Sequence, residues 1–342
     1  MAAGKGFEPQ FTSKPNPMSL QLCALKSLSR FPTYRPFRSE MDKTDMSSIM
    51  LLSANSRLSY AEMAEKLNLS VNAIHKRIQL LIETGVIRKF TAKVSLQSLG
   101  AIVVFVSGTS QLVSFQYLPD KLKAHGSIYW LAMGGGKFLY IGAYLRNLSE
   151  LVGLIELVKK EAGLPEPTVR IMASAPLQVT PNPKSTELTL YDLDYKIIRS
   201  LKDDSRKAVS DVATEVGVST KTVRRRLMRM TKNNLVELGL EWYPDKSNDI
   251  ITLLDLHLKP DTDLGIMPYR ILRKYAPNAL FYWCFVNVPS VVTYTVWTNS
   301  MNELQSLREK LEKEPGVASI VPNILYTGYI FSTWRDQLVE KH

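Results

Sequence analysis

Two cysteines in 342 residues, Cys23 and Cys284, leave no disulfide framework and no CxxC metal site. Histidine is as sparse: His75, His125, His257 and His342 are scattered, with no HExxH or other metal spacing. No stretch approaches the ~20 consecutive apolar residues of a membrane-spanning helix, and the run Ala101–Val106 has the length of a strand. The glycine cluster Gly134-Gly135-Gly136-Lys137 lacks the Lys-Ser/Thr ending and following helix of a phosphate loop, so it reads as a hairpin turn. Acid is in the minority: 32 Asp and Glu face 43 Lys and Arg, a net charge of +11. These absences speak against a secreted disulfide scaffold, a metal or redox cofactor and a membrane span. They fit a reducing cytoplasm. The basic excess favours a polyanionic partner, because Lys and Arg near phosphates release condensed counterions.

What is present is a repeat. Ala61-Glu62-Met63-Ala64 through Ile78 and Asp211-Val212-Ala213 through Leu227 superpose at an offset of about 149 residues. Ala64 falls on Ala213, Leu67 on Val216, Leu69 on Val218, Ser70 on Ser219, Ile74 on Val223, Arg77 on Arg226 and Ile78 on Leu227. A period this long means a duplicated domain pair rather than a solenoid. Each copy carries a helix-turn-helix signature, which points to double-stranded DNA as partner and to one chain reading two half-sites.

The coarse reading is the same in both copies. In the first, helices cover Asp42–Ser53, a second segment capped by Ser59 with Glu62 completing a capping box, and a third capped by Ser70 and ended by Gly85. Val71, Ile74, Ile78 and Leu81 mark the inner face of the third. Val86–Phe90 and Ala92–Val94 suggest a short wing hairpin. Strands at Ala101–Ser107, Ser127–Met133, Phe138–Leu145 and Thr168–Ala173, with helices at Pro119–His125 and Ser149–Ala162, give the β-α-β-β-α-β order of a ferredoxin-like domain. The second copy repeats this from Asp192 to Tyr326. The fold class is therefore α+β: two winged helix-turn-helix domains alternating with two ferredoxin-like (βαββαβ) domains. The expected boundaries are 41–95 and 188–244 for the helix-turn-helix units and 96–180 and 245–334 for the ferredoxin-like ones. Residues 181–187, around Pro181-Asn182-Pro183, are the linker and 335–342 a C-terminal tail.

Residues 1–40 differ from the rest, with five prolines and six Lys or Arg against two acids. Gly6-Phe7-Glu8-Pro9 is what a translated tRNA T-arm gene would give, and Met41-Asp42-Lys43 leads straight into the first helix. This segment is expected to be a disordered tail or an over-extended start.

The residues expected to meet DNA lie at the third helix of each copy. In the first they are Ser70, Asn72, Ala73, Lys76 and Arg77; in the second, Ser219, Lys221, Thr222, Arg225, Arg226 and Arg229. No acid occurs between Ser219 and Asn233, and Arg225 and Arg229 are expected to face outward and dominate affinity. Arg reads guanine or clamps phosphate, and Asn reads adenine. Unequal helices imply an asymmetric site. Candidate effector-lining residues are Gly134, Gly135, Gly136, Lys137, Asn287 and Ser290, at hairpin turns between the paired ferredoxin-like domains.

The stretches Met41-Asp42-x-x-Asp45, Leu58-Ser59-Tyr60-x-Glu62-Met63-Ala64, Leu69-Ser70, Arg77-Ile78 and Glu83-x-Gly85-Val86-Ile87-Arg88 resemble the Lrp/AsnC (feast/famine) family of prokaryotic transcription regulators. The resemblance spans residues 41 to about 330 as two fused copies. It implies a cytoplasmic, nucleoid-associated regulator that pairs through its ferredoxin-like domains, here as an intramolecular pseudo-dimer able to form homo-oligomers, and a small effector such as an amino acid. The family's Gly-x-x-Asp-Tyr pattern is missing at Gly134–Phe138 and at Asn287–Val291. Siroheme decarboxylases share this architecture, but His125–Trp130 and Pro277–Tyr282 lack the His-Asn-Tyr-x-x-Arg-like segment they use. No enzyme activity, catalytic residue or cofactor is expected. A non-specific DNA-binding or protein-interaction factor is the remaining alternative.

Overall fold

The computed structural model describes residues 41–173, 189–243, 247 and 249–341. The expected tail of residues 1–40 and the linker 181–187 lie outside the described residues. The first copy runs α1 (Lys43–Ala54), α2 (Tyr60–Leu67), α3 (Val71–Glu83), β1 (Ile87–Val94), β2 (Ile102–Thr109), α4 (Leu118–Lys123), β3 (Ile128–Gly134), β4 (Phe138–Leu145), α5 (Glu150–Glu161) and β5 (Thr168–Ile171). The second runs α6 (Asp192–Leu201), α7 (Val209–Val216), α8 (Thr220–Lys232), β6 (Val236–Trp242), β7 (Ile250–Leu258), α9 (Met267–Tyr275), β8 (Ala279–Cys284), β9 (Val291–Thr298), α10 (Met301–Glu312), β10 (Val317–Ile330) and α11 (Trp334–Gln337).

The local signals behave as their chemistry requires. Ser59 Oγ accepts from the Glu62 amide while Glu62 Oε2 accepts from the Ser59 amide at 2.7 Å, so two orphan donors of α2 are satisfied. Gly85 follows α3 at φ 77°, a left-handed position that a side chain would strain. Ile74, Ile78 and Leu81 are buried, but Val71 is half exposed. It sits in the first turn, on the side of α3 that projects past the three-helix core.

The wings correct the sequence reading. Neither half forms a hairpin. Instead β1 and β6 pair with each other antiparallel, with Phe90 opposite Leu240 and Thr91 opposite Gly239. At an offset of 149 these two pairs exchange places, so a two-fold axis passes between them. The ribbon is closed at its two ends by Ser95 N–H to Leu235 O at 2.9 Å and Tyr243 N–H to Val86 O at 2.8 Å.

Both ferredoxin-like units have the strand order that their β-α-β-β-α-β sequence demands, β5-β2-β4-β3 and β10-β7-β9-β8. Pairing of β10 with β3 joins them into one eight-stranded sheet. The opposite seam is thinner: Met172 bridges Phe285, Val286 N–H reaches Ile171 O and Ala173 N–H reaches Cys284 O. Between the seams, Phe105, Trp130, Trp283 and Phe285 fill the space, Phe105 lying 5.1 Å from the Trp283 ring. Cys284 is half-buried beside them, and Trp297 is fully buried.

The first helix-turn-helix unit packs on the ferredoxin-like unit of the second copy. Met46, Ile49, Leu52 and Ile78 of the first share a core with Ile251, Leu280 and Trp297 of the second copy. Asn299 Nδ2 donates to Met41 O at 2.8 Å across that junction. The expected tail 335–342 is largely a docked element. Arg335 is buried and donates to Val94 O at 2.6 Å, Trp334 Nε1 donates to Tyr144 O at 2.8 Å, and Val339 enters the core of the second helix-turn-helix unit. No helix among the described residues is long and apolar enough to cross a membrane.

Candidate nucleic-acid interface

The turn before each recognition helix is built by a left-handed residue, Asn68 at φ 53° and Gly217 at φ 75°. Ser70 and Ser219 then cap α3 and α8, accepting from the Ala73 and Thr222 amides at 3.2 and 3.1 Å. Both cap hydroxyls are thus spent on the helix, and Thr222 Oγ1 lies 2.9 Å from Ser219 Oγ. The inner face of α8 is Val223, Leu227 and Met230, all buried.

Three of the arginines expected at DNA are committed elsewhere. Arg77 bonds Asp42 at 2.6 Å and Asp45 at 3.0 Å, bracketing α3 to the start of α1. Burial would lower its pKa, but these two carboxylates outweigh that and raise it. In the second copy Arg229 bonds Asp194 at 2.5 Å, Arg226 lies 3.6 Å from the same carboxylate, and both guanidinium groups cover the Tyr191 ring. Arg229 also donates to Thr189 O. The expectation that Arg229 faces outward is therefore wrong. Asp45 and Asp194 are fully buried, and a buried carboxylate draws in the nearest cation on the adjoining helix.

What remains exposed is a narrower set. On α8 these are Thr220, Lys221, Arg224, Arg225, Met228, Thr231 and Lys232; on α3 they are Val71, Asn72, His75, Lys76, Leu80 and Glu83. Among the described residues Lys221, Arg224, Arg225 and Lys232 have no hydrogen-bond or ion-pair partner. His75 stands edge-on to Tyr60, ring centroids 5.3 Å apart. Ala73 is half-buried.

The two reading heads are clasped to each other on the axis of the β1–β6 ribbon. Ser56 Oγ meets Ser205 Oγ at 2.5 Å. Arg57 donates to Ser205 O and Lys207 O at 2.6 and 3.1 Å, and Arg206 returns the same bonds to Ser56 O and Leu58 O at 2.5 and 2.8 Å. This is the reciprocity of an isologous interface, built here inside one chain. Burial and the facing Arg206 charge lower the Arg57 pKa. Sequence reading missed Arg57, Arg206 and Asp194, and left Arg224 out of the expected contacts. The first two were findable, since Ser56-Arg57 and Ser205-Arg206 also repeat at 149.

The candidate effector turns serve the seams. Gly135 lies against Tyr326 of β10, and Lys137 Nζ is bonded to Leu112 O at 2.9 Å. Asn287 donates to Val169 O and accepts from Ile171 N–H, both at 2.9 Å, completing the ladder of β5. Gly134 and Gly136 complete the first turn, with φ 62° at Gly136, and Ser290 O accepts from Leu258 N–H. Among the described residues no group of His, Cys, Asp and Glu is placed to hold a metal.

Residues 41–88 match the winged helix-turn-helix DNA-binding family, and residues 192–231 match the AsnC-type helix-turn-helix domain. An uncharacterised HTH-type transcriptional regulator of Pyrococcus furiosus is 33% identical over 109 residues, 31% of this chain and 72% of that protein. The HTH-type transcriptional regulator LysM of Saccharolobus solfataricus is 35% identical over 72 residues, 21% of this chain and 51% of LysM. Among solved structures, the siroheme decarboxylase NirDL has a TM-score of 0.54 at 10% identity, covering 87% of this chain and 97% of that one. The likeness to NirDL is one of fold alone.

Proposed function

The chain belongs to the Lrp/AsnC family of helix-turn-helix transcription regulators, and from that premise we propose that it binds a specific double-stranded DNA site, engaging it with both heads of a single chain. The observation that carries this is the free basic face of α8. Among the described residues Lys221, Arg224, Arg225 and Lys232 stand unpartnered on the element that enters the major groove in helix-turn-helix proteins. The Ser56–Ser205 clasp and the β1–β6 ribbon support a fixed spacing of the heads, so one chain does what two subunits do in a dimeric regulator. Half-sites about one helical turn apart, or a multiple of it, suit such a frame.

Selection of random duplexes at about 150 mM salt tests this. Recovery of a reproducible site supports the reading; recovery of none leaves a non-specific DNA-binding factor. The fold shared with NirDL gives the enzyme alternative its own arm, namely incubation with siroheme and analysis for decarboxylated product. Turnover would replace the regulator reading.

A further inference from the structure

The two heads are alike in frame and unlike in charge. Over residues 41–85 five Lys and Arg meet five Asp and Glu, a net charge of zero; over residues 190–234 eleven meet six, a net charge of +5. The brackets behind the recognition helices are inverted in the same sense. In the first, one arginine, Arg77, faces two carboxylates, Asp42 and Asp45. In the second, two arginines, Arg226 and Arg229, share the single carboxylate of Asp194, because Tyr191 stands where the first copy has Asp42 and Arg229 where it has Leu80. On the outer face, Lys221, Arg224, Arg225 and Lys232 replace Asn72, His75, Lys76 and Glu83 at the same offset.

Resting on the DNA-binding reading, we propose that the heads divide the work: the second grips the duplex through phosphates whatever its sequence, and the first supplies most of the base discrimination. Base reading requires side chains held in one orientation by their neighbours. His75 is so held by the Tyr60 ring, and Asn72 in the first turn of α3 offers the paired donor and acceptor that match adenine. The cations of α8 have no such support among the described residues. A mobile guanidinium or ammonium satisfies a phosphate from many angles, whereas a bidentate guanine contact needs a fixed fork. Met228, exposed in the middle of that face, offers no hydrogen bond to a base edge. The preferred site is therefore one well-defined half-site beside a sequence-tolerant flank.

The experiment compares the full chain with three double variants, Arg224→Gln/Arg225→Gln, Arg224→Lys/Arg225→Lys and Asn72→Ala/His75→Ala. All four side chains are exposed, and matching far-ultraviolet circular dichroism and melting curves confirm the fold of each variant. Selected sequences and the salt dependence of affinity are then recorded. The glutamine variant should keep the wild-type consensus, while the slope of log K against log salt falls by about two units, about 0.9 per phosphate contact. Between 50 and 200 mM salt each lost contact is a ~3- to 4-fold smaller drop in affinity. The lysine variant should restore the slope. Asn72→Ala/His75→Ala should erase the defined half-site with the slope unchanged. Loss of base preference in the glutamine variant, with an unchanged slope and no rescue by lysine, would overturn the division of labour. Wild-type protein with no affinity for any duplex at 50 mM salt would instead defeat the DNA-binding reading itself.

Discussion

The two helix-turn-helix units share caps, turn geometry and clasp, and differ in nearly every side chain that faces away from the core. Ser70 and Ser219 make the same cap, Arg57 and Arg206 the same reciprocal bonds, and β1 and β6 the two halves of one ribbon. Where Asp42, Leu80 and Glu83 stand in one copy, the other has Tyr191, Arg229 and Lys232. Contacts on the two-fold axis must be met by both copies at once, so a change there strains both sides. Outward residues meet only solvent or the ligand, and a fused chain can vary each of them separately. The difference between the heads shows which positions answer to the frame and which to the partner.

The ferredoxin-like halves extend the comparison, and there the largest effect is expected. Asp255 and Thr293 face each other across β7 and β9 in the register that Ser107 and Tyr140 hold in β2 and β4. Arg170 reaches across to Asp255 with two bonds of 2.8 and 3.0 Å, while its counterpart Asn323 meets the Tyr140 hydroxyl. Asp255→Ala should cost about 3–5 kcal/mol, because it strands a mostly buried guanidinium. Asn323→Ala should cost about 1 kcal/mol, the worth of a neutral hydrogen bond. Urea unfolding of the full chain measures both, and equal losses would erase the asymmetry.

Next come the brackets. Asp194→Ala leaves Arg226 and Arg229 facing each other without a shared carboxylate and should cost about 2–4 kcal/mol. Asp45→Ala should cost about 1–2 kcal/mol, since Arg77 keeps Asp42 at 2.6 Å. Thermal melts of the two variants under one condition rank them; the reverse order breaks the comparison. On the clasp, Arg206→Ala should lose about 2 kcal/mol and Arg57→Ala about 1 kcal/mol. The two arginines make matching carbonyl bonds, but only Arg206 also covers the Tyr60 and Phe90 rings at 4.9 and 5.4 Å.

The smallest effect separates the second copy by pH. Burial would raise the Asp336 carboxyl, but Lys93 at 3.0 Å and the Thr333 amide outweigh it and hold the pKa below its ordinary value. A depressed carboxylate pKa contributes stability that is present above the unfolded value near 3.9 and is lost as pH falls through the folded value. Asp336→Asn should therefore lower stability by about 1 kcal/mol at pH 7 and leave it nearly unchanged at pH 2. Melting curves of the variant and wild type at both values check the sign.

The duplication, helix caps, ferredoxin-like order and inner faces of the recognition helices were legible from residue to residue. They depend on neighbours three or four positions away, or on alternation along one strand, and Ser59 with Glu62 or Ile74 with Ile78 shows this plainly. The sequence also marked α8 as the basic element. It could not separate the arginines left exposed from those that brace the fold, because that depends on a buried carboxylate about 35 residues away. For the same reason Arg229 passed for a reader and Arg224 was left out of the expected contacts. The wing strands looked like hairpins because their true partner lies about 150 residues further along the chain. Residues 335–342 looked like a tail because their docking surface, β1 and the end of α6, belongs to distant segments. By itself, then, the sequence determined which elements form and that they come twice. Which copy each element joins, and which cations are left over for a ligand, was decided only in the tertiary structure, where non-local pairing and burial select among partners that chain order does not rank.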